Sequence, residues 1–337
     1  MKYLIIRFSS LGDVILTTAV MNYLKMADQN CEITLLTDKN YTELFLDDTR
    51  LKSVIGLKKH ESYWNISLFN EPWDHIIDLQ NGKRSHSILE HFKNVKKVTH
   101  LHKLHLPRTL LLLARKNLYP AASDIITRYL NTAEIHEIVP HFNKAPSLTF
   151  KAANPSYYTQ MLQTDTINRP LVAFFPFSAW KNKEWPIKNF SVVGKFFQIL
   201  GWNILILGST AEYEQAEELR AMIGQHVLVL AGKISLYECG CVLKHCSLAL
   251  GNDSGLTHLA RACGVKTGVI YGPTTHHLGF YPSGTPEYRI FETPQFCRPC
   301  HPHGGNHCIQ MRHACMSRIT PETVINGMIT LLRGNQN

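Results

Sequence analysis

A carboxylate at position 13 lies where a strand-like run gives way to a helix-like pattern. Gly12 lets the chain turn closely, and the helical face that follows carries Leu16, Val20, Tyr23 and Leu24. Near a helix N-terminus the dipole favours an ionised Asp side chain, which suits Asp13 to accept a proton from an alcohol. Spacing alone, however, favours a capping role for Asp13 over a catalytic one.

A second strand-to-helix turn lies within Leu248–Gly264. The backbone N–H groups of Ser254–Thr257 are predicted to open a helix and to face an anion, which is what a pyrophosphate site needs. Asp253 would repel a phosphate, so its carboxylate is expected to bind sugar hydroxyls. An ordinary Asp/Ser cap with His258 packed nearby explains the same residues equally well.

Two more loops of the second half carry polar groups. The loop Pro176–Pro186 holds a hydroxyl, two lysines and two tryptophans, and a lysine there can neutralise a leaving diphosphate. Taken alone, such lysines are more often solvated surface groups. The segment Gly208–Glu212 offers a glycine turn and a carboxylate suited to a ribose, although a first-turn helix charge also explains Glu212.

The elements that position these turns are short apolar runs that alternate with helical stretches. The first half has such runs at Tyr3–Phe8, Glu32–Thr37, Ser53–Leu57, His75–Gln80 and Lys96–Thr99. The second half has them at Leu171–Pro176, Trp202–Gly208, His226–Ala231, Leu248–Gly251 and Thr267–Gly272. Each series predicts a parallel, doubly wound α/β sheet. Two such sheets facing a cleft would bring the carboxyl ends of their strands around one site.

The length of 337 residues fits two α/β domains. We expect domains at 1–155 and 156–320, followed by a packing helix within 321–337, where Pro321–Arg333 has helical spacing. Arg7 interrupts the signal-like start, and no run approaches the ~20 apolar residues of a membrane span, so a cytoplasmic protein is expected.

The charge balance predicts an anionic partner, because 35 lysines and arginines face 26 acidic residues. The basic stretch Lys93–Lys116 would suit a phosphorylated glycolipid at a membrane surface, and a solvated helix face explains it equally well. No nucleic-acid module accompanies these cations, so a nucleic-acid partner is not expected.

A set of four thiols lies near the C-terminus, interspersed with histidines. A structural zinc site is one interpretation of the set, while free thiols or disulfide pairing are the alternatives. The four residues are Cys297, Cys300, Cys308 and Cys315.

Taken together, Arg7–Val14, Lys183–Pro186, Asp253–His258 and Tyr271–Thr274 resemble motifs of the heptosyltransferases of glycosyltransferase family 9. The resemblance keeps these motifs in order over nearly the whole chain. It implies a GT-B fold, in which two Rossmann-like domains face a central cleft, with the acceptor on the N-terminal domain and the donor on the C-terminal one.

The resemblance also implies a reaction. Heptose would pass with inversion from ADP-heptose to the Kdo or heptose of a lipid A–Kdo type glycolipid, in the lipopolysaccharide inner core. The reaction would need no cofactor and would take place at the cytoplasmic face of the inner membrane. Two alternatives remain: a related transferase that uses another nucleotide-sugar, and a non-catalytic glycolipid- or nucleotide-binding protein on the same fold.

The resemblance assigns roles residue by residue. Asp13 becomes the general base, Ser178 and Lys183 contact the donor phosphates, Glu212 binds the ribose and Asp253 the heptose. Some family members carry a similar cysteine cluster that ends in a Cys-Met step, as at Cys315-Met316 here. The diphosphate region is assigned to Ser254, Gly255, Leu256, Thr257 and His258.

Overall fold

The computed structural model describes residues 1–59, 67–120, 124–135, 142–151, 169–282, 284 and 286–334. Two all-parallel sheets organise these residues, and the α/β class predicted from the alternating pattern is confirmed. The domain boundary predicted between residues 155 and 156 lies outside the described residues. Within the described ranges, no helix combines the length and apolar character needed to cross a membrane.

The first sheet contains β1 (Lys2–Ile6), β2 (Glu32–Asp38), β3 (Ser53–Leu57), β4 (His75–Asp78) and β5 (Val98–His100). Its order is β3-β2-β1-β4-β5. The centre of the sheet is buried on both faces, which explains its continuous Ile and Leu runs. The strand order reverses between β1 and β4, and the carboxyl ends of strands at such a point form a ligand-binding crevice.

The second sheet contains β6 (Leu171–Phe175), β7 (Asn203–Ile206), β8 (Val227–Val229), β9 (Leu248–Asn252), β10 (Lys266–Ile270) and β11 (Tyr288–Phe291). Its order is β11-β10-β9-β6-β7-β8, so the reversal lies between β9 and β6. Strand β11 was not predicted. It is an edge strand whose first two residues are exposed, so it lacks the apolar run that marks the others.

The helical face predicted after Asp13 is divided at Thr17 into α1 (Leu11–Leu16) and α2 (Thr18–Ala27). The hydroxyls of Thr17 and Thr18 donate at 2.7 Å to the carbonyls of Val14 and Ile15. Such bonds to a preceding turn compete with the helical ladder and bend the helix. The first turn, which carries Asp13, is therefore a short separate helix.

Further helices cover the two sheets. The predicted C-terminal helix forms over Pro321–Arg333 and buries Val324 and Met328. These helices are α3 (Lys83–Leu89), α4 (His105–Ala114), α5 (Ile125–Thr132), α6 (Ile187–Ile199), α7 (Tyr213–Ile223), α8 (Leu236–Leu243), α9 (Gly255–Ala262), α10 (Ala314–Ser317) and α11 (Pro321–Arg333).

The two halves of the chain meet at the first turns of α1 and α9. A Cβ atom on Gly12 would lie 2.7 Å from Cδ2 of His258, and one on Gly255 would lie 2.7 Å from Cδ2 of Leu11. Only glycine allows the backbone of one turn to pack so closely against a side chain of the other. The turn after β1 and the turn after β9 therefore face the same cleft.

Candidate active site

Asp13 is held by four contacts at the start of α1. The N–H of Ser10 at 3.0 Å and its hydroxyl at 2.9 Å donate to Oδ2, and the hydroxyl of Tyr129 donates to Oδ1 at 3.0 Å. Nη2 of Arg7 lies 2.8 Å from the same Oδ1. Arg7 is itself fixed, because Nη1 donates to the carbonyl of Leu79 at 2.5 Å. Asp13 thus caps its helix and also lies at the cleft.

These contacts decide the ionisation of Asp13. Burial acts to raise the pKa of Asp13, but the charge of Arg7 and the hydrogen bonds from Ser10 and Tyr129 outweigh it. They hold that pKa below its ordinary value of 3.8. Burial raises the pKa of Tyr129 well above 10.0, so its hydroxyl stays a donor. Asp13 is therefore a carboxylate at neutral pH.

The turn after β9 opens α9, as Ser254–Thr257 were predicted to do. Ser254 is the N-cap, and its hydroxyl lies 3.3 Å from that of Thr257. The hydroxyl of Thr257 donates to the carbonyl of Asn252 at 2.6 Å and so braces the turn. The first-turn N–H groups of Gly255, Leu256 and Thr257 have no acceptor within their own helix, and they can receive an anion.

His258 connects the two turns, since its ring packs against Gly12. Burial lowers the pKa of His258; the charges of Arg261 and Lys183 act in the same direction, whereas Asp253 and Asp13 oppose them. The imidazole is therefore neutral at pH 7 and offers one donor and one acceptor. The ring therefore lies between the turn that carries Asp13 and the turn that carries Asp253 with its partner Lys183.

Lys183 and Asp253 form a buried ion pair. Nζ lies 2.5 Å from Oδ2, and the two side chains are only 11% and 8% exposed. The hydroxyl of Thr274 donates to the same Oδ2 at 3.2 Å. The sequence predicted contacts of Lys183 with phosphate and of Asp253 with sugar. In this structure the two charges neutralise each other, although the residues are 70 positions apart in the sequence.

Ser178 lies in the loop that follows β6, near Lys183. Its backbone N–H donates to Oε1 of Glu184 at 3.2 Å, and its hydroxyl oxygen accepts from the N–H of Trp180 at 3.3 Å. Because the hydroxyl is used there only as an acceptor, its proton can be donated to a ligand.

Glu212 lies beyond the carboxyl end of β7. Its Oε2 accepts from the N–H of Ser209 at 2.6 Å, so the carboxylate caps this turn, which is the alternative noted above. A Cβ atom on Gly208 would lie 2.9 Å from the same oxygen, and the glycine thus permits the turn. No hydrogen bond joins the other oxygen, Oε1, to a described residue, and it is the atom that a ribose hydroxyl can reach.

Several residues of the site were given no individual role by the sequence. Arg7 and Thr274 lie within the recognised motifs, so their position was a usable signal. Tyr129 is 116 positions from Asp13 and carried no signal. His303 also had no assigned role; burial lowers its pKa, Arg108 acts in the same direction and Asp13 acts to raise it.

The four thiols of Cys297, Cys300, Cys308 and Cys315 line one cavity of about 120 Å³. Burial and the neighbouring thiols raise the pKa of Cys300, and burial is the main cause that raises the pKa of Cys315 to about 11. All four are free cysteines, so no disulfide joins them in this structure. They are not among the described groups in which three potential ligand atoms lie within 4.8 Å of one another.

The only such group in the described part of the chain is Asp78, His86 and His100. Nδ1 of His100 lies 3.1 Å from Oδ2 of Asp78, and the hydroxyl of Ser85 donates to that oxygen at 2.8 Å. Oδ1 accepts from two backbone N–H groups. The nearby cations Lys103 and Arg7 disfavour a metal ion, so we interpret the group as a hydrogen-bond network at the end of β4.

The chain is similar to known proteins along most of its length. Residues 65–303 match the model of glycosyltransferase family 9 (heptosyltransferase). Lipooligosaccharide heptosyltransferase 2 of Haemophilus influenzae is 24% identical over 298 residues, which cover 82% of this chain and 84% of that protein.

Two solved structures share the fold. The family 9 glycosyl transferase of Veillonella parvula superposes with a TM-score of 0.76 at 20% identity, covering 98% of this chain and 97% of that one. The ADP-heptose lps heptosyltransferase II of E. coli superposes with a TM-score of 0.71 at 19% identity, covering 99% of both chains. The predicted arrangement of two Rossmann-like units is consistent with these neighbours.

Proposed function

The chain belongs to glycosyltransferase family 9 and is a glycosyltransferase, and from that premise we propose that it transfers heptose from ADP-heptose, with inversion. The acceptor proposed is the Kdo or heptose of a lipopolysaccharide inner core. The observation that carries the proposal is that an ionised Asp13 and the N-terminus of α9, which can bind an anion, face the same cleft. The sugar is proposed from the similar proteins, which are heptosyltransferases.

Asp13 acts as the general base in this proposal. Of its partners, the Ser10 hydroxyl belongs to an exposed residue, and it bonds Oδ2 at 2.9 Å. An acceptor hydroxyl can replace it there without disturbing Arg7 or Tyr129. A carboxylate of low pKa is a weak base, but the hydroxyl becomes acidic as its oxygen bonds to the anomeric carbon, so proton transfer late in the reaction suits Asp13.

The departing ADP is stabilised by groups from the other turn. The first-turn N–H groups of α9 point at the diphosphate, and the helix dipole favours the negative charge that develops there. Lys183 adds its ammonium group once the donor is bound. In that state Asp253 exchanges part of its contact with Lys183 for hydroxyls of the heptose, which removes a carboxylate–phosphate repulsion.

Two further donor contacts complete the proposal. The free proton of the Ser178 hydroxyl donates to a phosphate oxygen, and Oε1 of Glu212 accepts from the ribose. His258, as a neutral imidazole beside Gly12, donates to the diphosphate from between the two turns. Each of these roles predicts a loss of donor affinity, rather than of the chemical step, when the side chain is removed.

A structural zinc site at the four cysteines is a separate part of the proposal. Four sulfur donors are the ligands that zinc prefers, and thiols with raised pKa lose their protons when a metal binds. The four cysteines line one cavity, which is the observation that supports the site. Metal analysis of protein purified without chelator should give one zinc per chain, and a Cys297→Ser variant should lose it. Zinc-free protein with full thermal stability would contradict the site.

The experiment that tests the function is a transfer assay with purified protein and ADP-heptose. The acceptors are Kdo-containing and heptose-containing core glycolipids, and the competing donors are ADP-glucose and a UDP-hexose. We expect transfer from ADP-heptose to be preferred. Preference for another donor would identify a related transferase instead, and donor binding without transfer to any acceptor would identify a binding protein.

A further inference from the structure

The positive charge of this chain is concentrated in two segments. Residues 98–120 and 293–321 together contain seven lysines and arginines and no aspartate or glutamate. The whole chain has 35 such cations and 26 acidic residues, so the remainder carries 28 against 26 and is nearly balanced. The excess charge is therefore local, and a local excess indicates a surface that meets an anionic partner.

The same two segments expose large apolar side chains. Leu113, Phe296 and Met311 are 81%, 81% and 94% exposed. Large apolar side chains that are exposed together mark an interaction surface, and both segments also contain lysines or arginines. We name this surface the basic apolar face and define its apolar part by six residues: Leu106, Leu113, Leu118, Phe296, Ile309 and Met311.

The two segments adjoin each other in space, although they are almost 200 positions apart in sequence. Nη1 of Arg115, just after α4, donates to the carbonyl of Pro299. Nδ2 of Asn117 lies 3.1 Å from Nδ1 of His277, and this contact joins the same segment to the second half of the chain. Phe296 and Ile309 line one cavity and so are close together. The face is thus formed by both halves of the molecule.

The cations of the face are available to a partner. Arg115 donates only to backbone carbonyls, and no ion pair joins Arg115, Lys116 or Arg312 to a described carboxylate. Arg298 differs, since its Nη2 lies 2.6 Å from Oε2 of Glu292. Three cations beside projecting Leu, Phe and Met side chains have the composition of an interfacial membrane-binding surface.

We propose that the basic apolar face docks on an anionic lipid bilayer, with Phe296, Ile309 and Met311 inserted among the headgroups and Arg115, Lys116 and Arg312 against the lipid phosphates. A second copy of this chain fits less well, because it would place two positively charged faces together. The inference rests on the proposed function in one respect. Gly305, in the same segment, donates its N–H at 2.8 Å to Oδ1 of Asn182, which is next to Lys183 in the chain, so docking would bring the cleft to a glycolipid headgroup.

The test uses vesicles of phosphatidylcholine alone and vesicles in which a third of the lipid is phosphatidylglycerol. The 337-residue protein should sediment with the anionic vesicles and not with the neutral ones, and added salt should weaken binding. A Phe296→Ser/Met311→Ser variant should bind roughly tenfold more weakly. An Arg115→Gln/Lys116→Gln/Arg312→Gln variant should lose about fivefold for each charge removed.

Matched controls come from α6, outside the face. Ile199 is 83% exposed and Lys195 is also exposed, so Ile199→Ser removes an exposed apolar side chain and Lys195→Gln removes an exposed charge elsewhere on the molecule. Both controls should bind vesicles like the parent protein. Equal binding by all variants, or equal losses in the controls, would overturn the proposal. So would a dimer in solution that only Phe296→Ser/Met311→Ser dissociates, combined with no vesicle binding.

A transfer assay separates the docking proposal from the proposed function. Face variants should keep parental turnover on a deacylated, water-soluble acceptor and lose turnover on the same glycan embedded in anionic vesicles. Vesicle binding that follows the variants without any transfer would contradict the proposed function alone. Transfer that is equally fast on both acceptors in every variant would contradict docking alone.

Discussion

The two strand-to-helix turns at the cleft have the same architecture and opposite electrostatics. The turn after β1 carries a carboxylate that receives Arg7, Tyr129 and Ser10. In the turn after β9, the first N–H groups have no acceptor within their own helix, and the carboxylate of Asp253 pairs with Lys183. One turn fixes a negative charge in place, and the other is ready to receive one. A general base needs a negative charge, and a leaving-group site must stabilise one. The two turns differ in the way that these two roles require.

The largest effect should come from separating the buried pair. Lys183→Met leaves Asp253 uncompensated at 8% exposure, so the free energy of unfolding should fall by about 3–5 kcal/mol. Donor binding should weaken as well, because the second turn then carries a bare carboxylate. Denaturant unfolding and calorimetric titration with ADP measure the two effects.

Lys181→Met is the matched control, since Lys181 lies in the same loop and is 56% exposed. It should change both quantities little. Adding Asp253→Asn to Lys183→Met should restore much of the lost stability. If the double variant is as unstable as the sum of the single ones, the pair is not what stabilises the second turn.

A smaller effect is expected from forcing the turns apart. The Cβ atom of Gly12→Ala would lie 2.7 Å from the His258 ring, and such overpacking costs about 1–3 kcal/mol. Thermal unfolding measures the loss. In a His258→Ala background the same change should cost little. An equal cost in both backgrounds would mean that the ring does not set the approach of the turns.

The smallest effect concerns a single hydrogen bond to Asp13. Tyr129→Phe should reduce stability by about 1 kcal/mol near neutral pH and raise the pKa of Asp13 towards its ordinary value. A lowered carboxylate pKa stabilises the fold above the unfolded pKa, which is about 3.9, and this stabilisation is lost as pH falls through the folded value.

The gap in stability between the parent and Tyr129→Phe should therefore be widest above about pH 4 and close at lower pH. Unfolding measured along a pH series tests this. Tyr288→Phe, at a 37% exposed tyrosine, is the control and should show no such gap. A gap that stays constant from neutral to acid pH would contradict the link to Asp13.

Sequence patterns predicted the positions of the strand-to-helix turns, but not the side-chain contacts that the turns make. The apolar runs placed ten strands because a buried parallel sheet requires such runs, while the exposed edge strand β11 lacked one. The positions of Asp13 and Ser254–His258 followed from strand-to-helix transitions. Lys183 was placed in a loop beside the donor, but its partner Asp253 lies 70 positions away and nothing local marks the pair.

Local spacing also favoured a capping role for Asp13, and only the family resemblance assigned it as the base. The structure shows the cap, through Ser10, and a carboxylate kept ionised by Arg7 and Tyr129. The role of Asp13 as base stays a proposal. The four cysteines were recognised as a set from the sequence, but their position around one cavity could not be derived from spacing, since the loops between them follow paths that depend on tertiary contacts such as His313 with Asn182.

The most direct test of the account is the Asp13→Asn variant, with turnover and donor binding measured separately on the same preparation. We expect kcat to fall by about 10²–10⁴-fold while the dissociation constant for ADP-heptose stays unchanged. The asparagine side chain cannot accept the proton, but the second turn is intact. Normal turnover, or a loss explained by weaker donor binding alone, would contradict Asp13 as the base.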